Sequence, residues 1–498
     1  MMLESTIAQM LGAVKCKFSA FIAALPDEER LRVSAMEQHV RALMKGVEAG
    51  LWEQYETYLV ERAEQEAGTC RCGCRCERRT TQVRVFLLGL AVVFLCVYFY
   101  CRRCRQGRSP VRRWLGLQDG GTTFGLERSV TNLTTQVTFG ETVRQMKEQH
   151  GQELDRTFAE RLTYRVGEHA EQYLAYRRQK ALGIAMASCR THGTEQLCLT
   201  ADGGGIPVGE LTRPGLGGKK ERTPVRGLPK GSRPIAKREG RLTIVRRPGV
   251  VTERIVDLHI APHNHLEVSG ERMLVAAIEA GLRDDTRIHG VFDMGLWPRT
   301  LFQEQFREHE HTAVADIFHV AEYLAAAGKN IVGPDKAGAW AMTQKDRLLA
   351  GNAAGVLKTL ARHQCAAACH KDEDGHCLVR VAHRYLTNHR AHLEYPEILA
   401  RELPVGSGEA ESAIRHIIRK RMDVAGAWTE AHANQMLSLL TIIYSGWWND
   451  FWSWRDRQDL DAWRKRQRGE NKPRFRGDKA GSKHARAVTP LPAAVAAA

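Results

Sequence analysis

The chain has 498 residues, a formal charge of +16 and a pI near 9.4, with 43% hydrophobic and 26% charged residues. That length suggests roughly three domains, and the apolar share suffices for packed cores while the charged share excludes a wholly apolar membrane protein. The positive surplus points to a polyanionic partner: DNA, RNA or an anionic membrane surface.

Thirteen cysteines, seven of them between Cys70 and Cys104, argue against a secreted disulfide framework. The opening MMLESTIAQMLG carries Glu4 where a signal peptide needs basic residues, so a reducing cytoplasm is expected.

Residues 1–67 read as amphipathic helices, with Leu31, Val33, Met36, Val40, Leu43 and Met44 at helical spacing. Residues 68–117 hold the cysteines and an apolar run, Val85 to Cys101. Its 17 residues reach the lower limit for a spanning helix. Its Val, Phe and Tyr content, with Gly89 at a turn, equally suits two buried strands feeding a metal knuckle. Cys101 and Cys104 have the C-x-x-C spacing of a zinc ribbon. The C-x-C-x-C-x-C run before them does not, so Cys70 with Cys74, or Cys72 with Cys76, would complete the site. The set Cys70, Cys74, Cys101 and Cys104 is the expected one.

Residues 118–190 predict a helix over Glu141–His150, a break at Gly151 and a helix over Leu154–Lys180. That is a helix-turn-helix outline for binding DNA, with Arg156, Arg161, Arg165, Arg177, Arg178 and Lys180 on the second helix.

From Leu197 short apolar runs alternate with helices. Strands are expected at 197–204, 242–247, 254–260, 287–293 and 312–318, with helices at 271–282 and 300–308. Between Arg213 and Arg247 twelve Lys or Arg face two acids, which predicts a mobile loop. The order β-β-β-α-β-α-β is that of an RNase H-like core, over 191–319 and 400–455. An all-helical insertion over 320–399 interrupts it, and a basic, partly disordered tail covers 456–498.

Three acids lie at element edges: Asp202 at the end of the first strand, Asp293 at the end of the fourth, and Glu411 in the first turn of a helix opened by GSGEAES. Such edges meet at one side of an α/β sheet. Carboxylates are the hard ligands that Mg²⁺ prefers, and the glycines after Asp202 would let a phosphodiester approach. His259, His263 and His265 offer a further metal group, as do Cys365, Cys369, His370, His376 and Cys377, although a plain helix-to-helix turn fits the latter as well.

Residues 197–452 resemble bacterial insertion-sequence transposases of the DDE type, of the ISKra-like group. The resemblance rests on Gly406-Ser407-Gly408 with Glu411 and Ser412, on Arg415, Lys420, Arg421 and Trp428, and on Gly446-Trp447 through Phe451. It also rests on Asp316-Ile317-Phe318-His319 with Glu322, and on Phe292-Asp293-Met294-Gly295 with Trp297, where Met294 replaces the usual glycine.

The resemblance implies a catalytic triad of Asp202, Asp293 and Glu411 holding Mg²⁺ or Mn²⁺, with Asp316 and His319 in support. Asp316 is the rival to Asp293, and Glu409 to Glu411. It further implies DNA as partner, a homo-oligomer on that DNA, and location at the nucleoid. An inactive DNA-binding copy and a membrane-anchored protein are the alternatives.

Overall fold

The computed structural model describes residues 12, 15–16, 18–26, 33–65, 70, 72–116, 121–186, 194–209, 235–261, 266–363, 369–423 and 428–468. The chain divides into two compact units. One comprises Met1–Val83, Phe94–Gln118 and Asp456–Ala498; the other comprises Arg84–Val93 and Asp119–Arg455.

The helix Val33–Gln65 precedes a three-stranded sheet of β1 (Glu77–Leu87), β2 (Leu90–Cys101) and β3 (Gln106–Arg108), of which Arg84–Val93 belong to the second unit. The apolar run 85–101 is therefore strand. Its branched and aromatic side chains favour a pleated, half-buried surface, and Gly89 takes the turn at φ 80°, where glycine meets no steric cost. Phe94 is buried edge-on against Trp52 and Tyr55. Glu56 accepts the Leu95 amide at 2.6 Å, so the long helix covers this sheet. Among the described residues no helix is long and apolar enough to cross a membrane.

The second unit holds a five-stranded mixed sheet of β4 (Gln196–Gly209), β5 (Ile235–Arg246), β6 (Arg254–Ile260), β7 (Arg287–Phe292) and β8 (His311–Ala315). The order is β6-β5-β4-β7-β8. β4, β5 and β6 pair antiparallel, while β7 lies parallel to β4 and β8 parallel to β7.

Two expected boundaries shift. β4 and β5 stay paired out to Gly209 and Ile235, so the basic insert is strand from Ile235 onward, and 210–234 lie outside the described residues. The last strand ends at Ala315, because Asp316 caps the helix Ile317–Ile331 by accepting the Phe318 amide at 2.8 Å.

Side chains alternate across a strand, and β4 uses both faces. Leu197, Leu199 and Ala201 join a core with the helix Leu266–Glu279 and the helices that follow β8. Ile206 and Val208, with Leu242 and Ile244 of β5, face the segment 408–422 and the helix Glu430–Tyr444. Asp202 and Gly204 belong to this second face by the same alternation. Described residues between Ile317 and Ala400 are predominantly helical.

A third core joins the helices Phe124–Thr134, Phe139–His150 and Arg156–Met186, with Gly151 at φ 63° ending the second of them. The basic side expected on the long helix is partly consumed inside the protein. Arg165 bonds Glu127, Arg177 bonds Glu279 and stacks on Trp447, and Arg178 pairs with Glu271.

Candidate active site and cysteine cluster

Asp202, Asp293 and Glu411 come from elements far apart in sequence. Asp202 lies on β4, opposite Leu242. Two positions on, Gly204 sits under the segment 408–422: a Cβ there would stand 3.0 Å from Ile418 and 3.4 Å from Ile414. Glu411 is one turn before Ile414, so it hangs over the same face of β4. Asp293 follows β7, whose parallel register sets Val291 beside Thr200.

The electrostatics agree with this placement. Burial pushes the Asp202 carboxyl up from its ordinary 3.8 to about 6, and the negative charges of Asp293 and Glu411 add to the rise. The Gly203 amide and His319 act in the opposite sense.

The glycine run also gives neighbouring side chains a close approach. Gly203 faces the Glu239 side chain, Gly204 faces Ile414 and Ile418, and Gly205 faces Lys237. A side chain at these positions would meet those neighbours, and Gly204 is the one that the segment 408–422 packs on.

The two aspartates differ in setting. Asp293 is half-buried and accepts the Gly295 amide at 2.8 Å, while the Tyr385 hydroxyl donates to its backbone carbonyl at 2.9 Å. Asp316 is 1% exposed, held by the Phe318 amide and the Ser407 hydroxyl. It latches the GSG segment onto the last strand, where Ile317 also donates to the Val405 carbonyl at 2.9 Å. His319 lies against the rings of Tyr323 and Tyr385, themselves stacked at 4.2 Å. Sequence patterns passed over both tyrosines, because an aromatic at helical spacing reads as core.

Glu409 is engaged by Arg246 at 2.6 Å and Arg254 at 3.0 Å. Glu411 is exposed. Met294 has φ 62°, a left-handed conformation that favours glycine.

The helix carrying Glu411 changes type. Gly408–Ala413 is α-helical and Ile414–Met422 is a π-helix. Exposure explains it. Glu411 and Ser412, Arg415 and His416, and Arg419 and Lys420 are exposed, while the pairs between them are buried. A strict period of four exceeds the 3.6 residues of an α-helix, and the wider π turn keeps the apolar pairs on the sheet.

In the first unit, Cys70, Cys72, Cys101 and Cys104 bring their sulfurs within 4.8 Å of one another and could hold a metal ion. The expected ligand Cys74 is not among them; its sulfur meets the Arg103 guanidinium at 3.8 Å. Gly73, at φ 81°, donates to the Cys70 carbonyl, and Cys70 donates to that of Cys74. This tight turn presents a C-x-C pair to the C-x-x-C. Hydrogen bonding from Cys72 and Cys70 pushes the Cys104 thiol up to about 12.

A second donor group, Asp372, Asp374 and His376, lies in the exposed loop before the helix Leu378–Asn388. His263, His265 and Cys365 lie outside the described residues. His259 is no surface ligand: it is buried on β6 between Asp257 at 2.8 Å and Ser269 at 2.7 Å.

No protein-family model matches the chain, and no curated protein matches it.

Proposed function

We propose that this chain is a DNA transposase of the DDE type, cleaving a phosphodiester and directing the freed 3′-hydroxyl at target DNA. One observation carries the reading. The carboxyl of Asp202 feels Asp293, 293 − 202 = 91 residues on, and Glu411, 411 − 293 = 118 residues further. The strand order β6-β5-β4-β7-β8, with β5 alone between the sheet centre and an antiparallel edge, supports an RNase H-like core. In such a core the second acid follows the fourth strand, which favours Asp293 over the buried cap Asp316.

Three carboxylates offer the hard oxygen donors that suit Mg²⁺ or Mn²⁺. Their ligand atoms are not gathered within 4.8 Å of one another, and Asp202, Asp293 and Glu411 are the residues that would hold the ions. Ions held there would activate the attacking oxygen and neutralise the leaving one. The protein's part is to aim the carboxylates: Gly295 fixes Asp293, Gly203 fixes Asp202, and Ile414 and Ile418 seat the helix of Glu411 on β4.

The cysteine cluster is assigned to structural zinc. Thiolates about 2.3 Å from zinc in a tetrahedron stand about 3.8 Å apart, and Cys70–Cys104 and Cys72–Cys101 are 3.7 and 3.6 Å apart. A homo-oligomer on DNA at the nucleoid completes the proposal.

The test uses purified protein, Mg²⁺ or Mn²⁺, and labelled DNA carrying the ends of the encoding element. Wild type and Asp316→Ala should differ less than wild type and Asp293→Ala, which should neither nick nor join. A dead Asp316→Ala beside an active Asp293→Ala moves the second carboxylate to Asp316. Wild-type protein that binds the ends without cleaving them replaces the transposase with a DNA-binding protein.

A further inference from the structure

A cleft of about 630 Å³ opens beside the π-helix. Its walls include Arg246 at the end of β5, Arg254 at the start of β6, Tyr444, and His416 and Lys420 of the π-helix. The one acid in the wall, Glu409, is already spanned by the two arginines. The pair exceeds its charge by one, and Lys420 adds another. The cleft is therefore cationic, while Tyr444, Val251 and Ile417 give it an apolar side. Arg254 stands over the Tyr444 ring at 5.9 Å. Cationic groups beside an aromatic wall match a phosphate joined to a planar base. The volume falls in the range of small-ligand pockets, large enough for one nucleotide and too small for a duplex.

Placement relates the cleft to the chemistry. Ser412 and Ala413 belong to its wall, and Glu411 is the preceding residue. The period of four sends Ser412, His416 and Lys420 down one row, and Glu411, Arg415 and Arg419 down the row beside it. A strand presenting a phosphate to Glu411 would thus run along a basic helix with this cleft next to it.

We infer that the cleft takes one unpaired deoxynucleotide of the strand being processed, its phosphate on Lys420, His416 and the arginine pair and its base against Tyr444. The inference rests on the transposase reading for its substrate, but binding alone tests it.

The experiment uses the full chain without added Mg²⁺ or Mn²⁺, so that no cleavage occurs and the cysteine site keeps its metal. A labelled single-stranded oligonucleotide is titrated and followed by fluorescence anisotropy, with dAMP and inorganic phosphate as competitors. His416 and Lys420 are exposed, so the double variant His416→Ala/Lys420→Ala should fold, which circular dichroism checks. It should bind about tenfold more weakly, with a shallower salt dependence. The control Lys336→Ala/Lys358→Ala, two exposed lysines of the helical region, should match wild type. In wild type, dAMP should compete at concentrations where phosphate does not.

Equal affinities for the cleft variant and the control overturn the inference. So does phosphate competing as well as dAMP, which would leave an anion site that ignores the base. Protein that binds through His416 and Lys420 yet never cleaves DNA refutes the transposase and leaves the nucleotide site standing. Protein that cleaves and joins while the cleft variant binds normally does the reverse.

Discussion

Asp202 is an acid that the fold holds against its own ionisation. Burial comes first among the causes, and the charges of Asp293 and Glu411 follow. An acid whose folded value lies above its unfolded one binds its proton more tightly when folded, so ionising it costs stability. That cost is absent below the ordinary 3.8, grows as pH rises through about 6, and is complete above it. The shift corresponds to roughly 3 kcal/mol at most. Without added Mg²⁺ or Mn²⁺, Asp202→Asn should therefore melt higher than wild type at pH 8 and nearly level with it at pH 4. Adding Mg²⁺ should narrow the gap by stabilising the wild type. A melting difference equal at both pH values would refute this account. Met294 shows the same local tension, since it is 4% exposed in a left-handed backbone. Burial of its side chain offsets a conformation that costs an L-residue about 1–2 kcal/mol.

At the scale of elements, turns and packing decide which residues meet. A C-x-C pair has poor zinc-ribbon spacing in the sequence, and only the left-handed Gly73 turn brings Cys70 and Cys72 together toward Cys101 and Cys104. Cys72→Ser should accordingly lose bound metal, and Cys74→Ser should keep it, as measured by metal content per purified chain. Equal loss would restore Cys74 as a ligand, and equal retention would mean that the cluster holds none. The π-helix is a similar case. Its period of four is visible in ESAIRHIIRKRM, yet without a sheet to pack on, the pattern also passes for an irregular α-helix. The hairpin of β1 and β2 was legible as one of two alternatives, since Val, Phe and Tyr flank a single glycine. Length alone could not decide between a strand pair and a short membrane helix.

Over the whole molecule, a charge of +16 overstates the positive surface available to a partner. Arg165 and Arg455 share Glu127, Arg177 is spent on Glu279, and Arg246 and Arg254 clamp Glu409. Glu127 is fully buried and Arg455 is 3% exposed, so their pair links helices more than 300 residues apart in a dry interior. Glu127→Gln would leave Arg455 facing a neutral amide, at a cost of about 3–5 kcal/mol. Chemical denaturation should show that loss; a change below about 1 kcal/mol would make the network redundant. The order of strands and helices, the edge positions of Asp293 and Glu411 and the glycine at the hairpin were determined by the sequence itself, because propensity, alternation and turn chemistry act between near neighbours; Asp202, expected at a strand end, lies within β4. The tertiary structure decided which sulfurs meet, which glutamate the arginines occupy, and that Gly204 receives Ile414 and Ile418. Those outcomes depend on side chains brought together from distant parts of the chain, and no local pattern encodes the meeting.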